Sequence, residues 1–206
     1  MTKYYIKGNW DKYWKKHQEK KIFLDRIIAR LRFYFGRCYV KQLMKIRKPE
    51  GKILEVGCGT AYCSSLIARN KKVKSYAMDY STNLIGYWKD KKVKYYVGDG
   101  FSIPFKDKSF DIVWNAGVLE HFDDPLPFLK EMRRVTKENG LVYVLVPYIF
   151  DLTAIFQLYG REEIYNSKTL KKVLKKAGLK GVKTKVLFDC FGFLISGWGK
   201  KYTIKE

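Results

Sequence analysis

Five short apolar runs punctuate the middle of the chain: residues 53–56 (ILEV), 74–78 (KSYAM), 94–97 (KYYV), 110–114 (FDIVW) and 141–146 (LVYVLV). Each has strand length and strand composition. Between them the sequence reads as helix at 64–69 and 82–89, as a helical start at 118–122, and as helix again at 126–135. Ser81 is placed to cap the second of these. Pro125 and Pro127 open the last, with Asp123 or Asp124 as its cap. Strands separated by helices predict a parallel, doubly wound α/β sheet with helices on both faces. The 141–146 run is apolar throughout, as a central strand covered on both sides should be.

The flanks follow other patterns. Across 22–47, Leu24, Ile27, Ile28, Leu31, Phe35, Cys38, Tyr39, Leu43 and Ile46 recur at helical spacing. Arg26, Arg30, Arg37, Lys41 and Lys45 lie mostly off that stripe, so an amphipathic helix is predicted, with a break near Gly36. Pro49 and Gly51 end it. Residues 1–21 are polar with embedded aromatics and predict a short helix from Asp11. Beyond residue 150, a helix is predicted over 169–177, capped by Asn166 or Ser167, with Gly178 just past its end. Residues 183–188 and 193–196 read as an antiparallel pair around Gly192. With no repeat or long linker, the chain reads as a single domain: a helical cap (1–48), a core (49–149), and a C-terminal helix and strand pair (150–206).

Charge adds a question. The 206 residues carry a formal net charge of +22. Residues 1–50 hold 15 Lys+Arg against 4 Asp+Glu, residues 51–125 hold 11 against 9, and residues 126–206 hold 16 against 7. The core is nearly neutral and the flanks carry the excess. Such flanks suit an anionic partner (RNA, lipid headgroups, an acidic small molecule) or serve solubility alone. Cys38, Cys58, Cys63 and Cys190 show no CxxC spacing, so neither a metal site nor a disulfide framework is indicated. No apolar leader is visible, and Pro147 interrupts the most apolar run, which is too short for a membrane span. A cytoplasmic setting is the default reading.

The chemistry gathers at the strand ends. Gly57 and Gly59 follow the first run directly, which makes the strand, glycine turn and helix of a nucleotide-binding crevice. A dinucleotide fingerprint needs a third glycine where Tyr62 stands, and no P-loop lysine is present. Glu55, two residues before Gly57, suits a ligand carrying positive charge. Asp79 ends the second strand twenty residues after Gly59, a position suited to ribose hydroxyls. Asp99 (between Gly98 and Gly100) and Asn115 end the third and fourth strands.

In order, ILEVGCGTA, MDYS, GDG, FDIVWNAGVLEHF and GLVYVLVP resemble the successive motifs of the class I S-adenosylmethionine (SAM) methyltransferases, closest to the branch acting on small molecules, lipids and some tRNA bases. The resemblance implies a Rossmann-like sheet of seven strands, mostly parallel, with the last antiparallel. It implies SAM as cofactor and S-adenosylhomocysteine as product. By it Glu55, Gly57, Cys58 and Gly59 frame the methionine part, Asp79 and Tyr80 lie at the ribose, and Asp99, Gly100 and Phe101 meet the adenine. Asn115 lies near the methionine end through its backbone. Ala61 departs from the pattern, since many members carry glycine there.

His121 follows the fourth strand, where an acceptor would approach, and is the candidate general base; a contact to cofactor is the other reading. Tyr148 is a second candidate, and His17 falls in the polar N-terminus. Asn115-Ala116-Gly117-Val118 lacks the diprolyl motif of adenine-N6 and glutamine-amide methylation. No cysteine follows the fourth strand, which disfavours cysteine-dependent C5 methylation of pyrimidines. The expectation is methyl transfer to a small-molecule or lipid-like acceptor. The alternatives are an RNA (tRNA) methyltransferase using the basic flanks and a SAM-binding partner subunit without activity of its own.

Overall fold

A computed structural model describes Lys15 and residues 23–147, 165–189 and 192–201. His17 and Tyr148 lie outside the described residues, as does the helix expected from Asp11 apart from Lys15, which is helical. The first described helix, α1 (Phe23–Ile46), is followed by β1 (Gly51–Val56), α2 (Tyr62–Ile67), β2 (Val73–Asp79), β3 (Val93–Val97) and β4 (Phe110–Ala116). Then come α3 (Leu126–Val135), β5 (Thr136–Pro147), α4 (Ser167–Lys176), β6 (Lys180–Asp189) and β7 (Gly192–Lys200). The strands form one sheet of seven in the order β3-β2-β1-β4-β5-β7-β6. Neighbours among β1 to β5 are parallel, while β7 runs antiparallel between β5 and β6. The strand order reverses at β1, so the crevice beyond the carboxyl ends of β1 and β4 is the switch point where such sheets bind ligands.

Alternation along each strand builds two cores. Leu54 and Val56 point to one face, with Val113, Val142 and Val144, and are covered by α3 and α4 through Phe128, Leu129, Met132, Leu170 and Leu174. Ile53, Ile112, Trp114, Tyr143 and Leu145 point to the other, where Val40 and Leu43 of α1 and Ile67 of α2 cover them. Leu54, Ile112 and Trp114 are fully buried. Each such side chain contributes roughly 1.5–3 kcal/mol by leaving water.

Three expectations change. α1 runs through Gly36 without a break. The glycine is there for a helix crossing: a Cβ at Gly36 would lie 2.9 Å from Tyr62 Cδ1 and 3.0 Å from Cys63 Sγ. The helix expected over 82–89 is a 3₁₀ helix, Thr82–Tyr87, and Ser81 makes no side-chain cap bond. Gly86 and a six-residue length leave an α-helix little to gain there. The helical start after β4 is likewise a single 3₁₀ turn, Leu119–His121. Asn166 caps α4 as expected, in a capping box with Thr169.

Candidate functional site

The turn after β1 is shaped by backbone conformation. Gly57, Gly59 and Ala61 all have positive φ (74°, 52° and 57°). At Gly57 a Cβ would also stand 2.4 Å from Val118 Cγ2, so only glycine lets the turn and the β4 loop close together. Ala61 adopts the left-handed conformation although it is not glycine, at a cost of roughly 1–2 kcal/mol. Its methyl group is fully buried beside Cys58, Ala68, Ala77 and Val93, which offsets part of that cost.

Asp79, at the tip of β2, closes the other side. Its Oδ2 accepts from the Gly59 N–H at 2.8 Å, and its Oδ1 accepts from the Ser81 N–H at 3.1 Å. The two bonds orient the carboxylate from the backbone. Asp79 and the Gly57–Gly59 turn are thereby brought together, as the sequence predicted. Tyr80 follows directly, half-buried.

The loop after β3 lies along the same rim. The Gly98 N–H donates to the Asp79 carbonyl at 2.9 Å. Asp99 is exposed and accepts from the Phe101 N–H at 2.9 Å. A Cβ at Gly100 would lie 2.4 Å from Phe128 Cε2, so Gly100 lets this loop sit against α3. Phe101 packs edge-to-face on Phe122 (4.7 Å between centroids) and Phe128 (5.8 Å), giving the rim an aromatic wall.

Other predicted residues are turned inward. Glu55 is buried and accepts from Ser64 Oγ of α2, so it ties the helix to the strand beneath the turn. Burial pushes its carboxyl up to about 8, against the ordinary 4.5. The Cys58 side chain is buried as well, and burial raises its thiol, leaving its backbone as the part facing the turn. Asn115 is fully buried, with its amide on Met132 Sδ at 3.3 Å, so its side chain is committed to α3.

His121 sits in the 3₁₀ turn after β4, its N–H on the Val118 carbonyl at 3.2 Å. Burial lowers its pKa from 6.5 to about 4, only partly offset by a hydrogen bond to the Gly117 backbone. The imidazole is therefore neutral at ordinary pH. Among the described residues no cluster of three or more His, Cys, Asp or Glu is disposed to hold a metal ion. No described helix is long and apolar enough to cross a membrane.

One residue at this site escapes sequence reasoning. Trp88, in the loop after the 3₁₀ helix, donates its indole N–H to the Gly59 carbonyl at 2.9 Å. Its ring stacks on Tyr95 of β3 at 5.3 Å and 6°. Gly59 is thus held at both ends, its N–H by Asp79 and its carbonyl by Trp88. No motif marks an aromatic at this distance from the turn; the only signal is an apolar residue in an otherwise polar loop.

With this geometry in hand, comparison with known proteins is informative. Residues 54–144 match the family model described as a methyltransferase domain. The chain is 31% identical over 150 residues to a demethylmenaquinone methyltransferase of Geobacillus stearothermophilus, covering 67% of this chain and 64% of the relative. It is 29% identical over 110 residues to "Probable tRNA methyltransferase 9B" of Homo sapiens, covering 52% of this chain and 24% of that one. The chain therefore spans less than two thirds of the length of these curated relatives. Among solved structures, a SAM-dependent methyltransferase of Thermotoga maritima superposes with a TM-score of 0.72 at 20% identity, covering 94% of this chain and 99% of that one. That likeness establishes the fold.

Proposed function

Residues 54–144 form a class I SAM-dependent methyltransferase domain, and from that premise we propose that the chain transfers a methyl group from SAM to a small, lipid-like acceptor. The observation that carries the reading is the Gly59–Asp79 contact: a carboxylate at the tip of β2, held by two backbone N–H groups and facing a turn that a Cβ would block.

The residues present fit the cofactor. Asp79 would accept from the ribose hydroxyls, with Tyr80 beside it. The loop Asp99–Gly100–Phe101 would take the adenine between the Asp99 carboxylate and the Phe101 ring. The backbone of Gly57, Cys58, Gly59 and Asn115 would line the methionine part, while Glu55 braces the turn from beneath. When bound, SAM supplies a methyl group on an already activated leaving group. The chain's task is then to orient, to exclude water and to handle a proton. Val118, Phe101 and Phe122 give the approach an apolar wall. Neutral His121 would accept the proton of an acceptor hydroxyl as the methyl bond forms; burial disfavours the charge it gains, so the proton passes on to solvent with product release.

The lipid-like acceptor is supported by these apolar surroundings and by the demethylmenaquinone methyltransferase relative. A tRNA acceptor is the second reading, favoured by the net charge of +22 and the tRNA methyltransferase relative. Incubation with methyl-labelled SAM, a membrane lipid extract and total tRNA separates them. Label in the solvent-soluble lipid fraction supports the proposal; label confined to RNA overturns it.

A further inference from the structure

The segment 166–187, NSKTLKKVLKKAGLKGVKTKVL, holds eight lysines and not one arginine, aromatic or acidic residue, in a chain with 17% aromatics. The fold sets five of these lysines on one helix face. In α4, Leu170 and Leu174 are buried against the sheet, while Lys168, Lys171, Lys172, Lys175 and Lys176 are all exposed. Lys180, Lys183 and Lys185 of β6, the edge strand, and Lys200 of β7 are exposed as well, but Lys183 and Lys185 point to the opposite face of the sheet, in step with Leu187 and Trp198. None of these nine lysines forms an ion pair among the described residues; the pairs present are those of Lys108, Arg134, Lys137 and Lys201. So many unneutralised like charges repel one another, and nothing in the packing of α4 or β6 uses them.

We propose that the outer face of α4, with Lys168, Lys171, Lys172, Lys175 and Lys176, docks the protein onto an anionic membrane surface. The chemistry of the face selects among anionic partners. Surfaces that read RNA bases rely on arginine forks and on aromatic rings that stack them. This segment has neither. Lysines on long stems, spread along an exposed helix face without an insertable apolar side chain, suit a carpet of phosphate headgroups held by charge alone. Such adsorption is reversible and falls with salt. It brings the site to the phase in which a lipid-like acceptor dissolves. The purpose rests on the lipid-like acceptor proposed above, but the test does not, because docking is read without SAM or acceptor.

The full chain is sedimented with phosphatidylcholine vesicles containing about a third phosphatidylglycerol, at low and at moderate ionic strength. Wild type binds the anionic vesicles at low salt, is released at moderate salt, and ignores pure phosphatidylcholine. The triple variant Lys171→Glu, Lys172→Glu, Lys175→Glu loses binding at least tenfold at an unchanged melting temperature. The milder Lys→Gln triple loses several-fold and serves if the first misfolds. A control triple on α1, Arg37→Glu, Lys41→Glu, Lys45→Glu, removes the same charge and costs much less. An equal loss on α1, binding to neutral vesicles, or tighter binding to tRNA at matched phosphate concentration overturns the proposal. None of these outcomes bears on whether the chain binds SAM.

Discussion

The indole N–H of Trp88 donates to the Gly59 carbonyl at 2.9 Å while the Gly59 N–H donates to Asp79, so side chains hold both peptides that flank Gly59. Trp88→Phe keeps an aromatic ring against Tyr95 and removes the donor. A neutral hydrogen bond of this kind contributes about 0.5–1.5 kcal/mol. The dissociation constants of SAM and S-adenosylhomocysteine should therefore rise roughly 3- to 10-fold, measured by calorimetry, with the far-UV circular dichroism unchanged.

Gly57 admits no side chain. A Cβ would meet Val118 Cγ2 at 2.4 Å in a backbone conformation already foreign to L residues. Gly57→Ala should lower stability by about 2 kcal/mol or more and abolish cofactor binding. Pairing it with Val118→Ala relieves the collision but not the φ strain, so the double variant should recover part of the lost melting temperature. Denaturant titration of the two variants reads both terms.

Glu55 and His121 make opposite contributions to the pH dependence of stability. Folded Glu55 keeps its proton up to about pH 8, whereas the unfolded chain releases it near 4.5, so stability falls as pH rises through that window. Folded His121 stays neutral down to about pH 4, whereas the unfolded chain takes a proton near 6.5, so stability rises with pH between those values. The two slopes, each about 1.4 kcal/mol per pH unit, oppose one another between about 4.5 and 6.5. Above 6.5 only the falling term is left. Glu55→Gln should remove the loss between pH 6.5 and 8 and uncover the rising limb below it, in urea titrations across that range.

The same shift shapes the rate profile. If His121 is the base, kcat/KM rises with pH through about 4 rather than through an ordinary histidine value near 6.5. His121→Ala should lower kcat at least tenfold while leaving SAM affinity within twofold. An unchanged kcat would remove His121 from the chemistry.

Gly36 ties α1 to the helix behind the glycine turn. Tyr62 and Cys63 fill the space its missing Cβ leaves, Arg37 Nε donates to Tyr62 Oη at 3.1 Å, and Phe33 packs on the Tyr62 ring at 4.5 Å. Gly36→Ala gains about 1 kcal/mol of helix propensity and loses a similar amount to overpacking, so it should be nearly neutral. Gly36→Leu gains nearly the same propensity but overpacks much further, and should lower stability by about 2 kcal/mol, read by thermal melting.

The strand–turn–helix core was legible because its signals are local. Two glycines in the turn after β1, an acid at the ends of the first three strands and apolar runs of strand length can be read a few residues at a time. The break expected at Gly36 came from treating a glycine as a helix breaker, when its reason lies 26 residues away in Tyr62. The placement of β7 between β5 and β6 is long-range pairing that no local pattern encodes. Trp88 was missed for the same cause: its partner is a backbone carbonyl 29 residues back in the chain. Glu55 looked like a ligand contact from its place in the motif, and only the position of Ser64 shows which way its carboxyl turns.

The most direct test of the account is calorimetric titration of the protein with SAM and S-adenosylhomocysteine, alongside Asp79→Asn and Asp79→Ala. The account predicts micromolar binding by the wild type, weakened at least tenfold in Asp79→Asn and lost in Asp79→Ala. A folded wild type that binds neither ligand, or binding undiminished in Asp79→Ala, would contradict it.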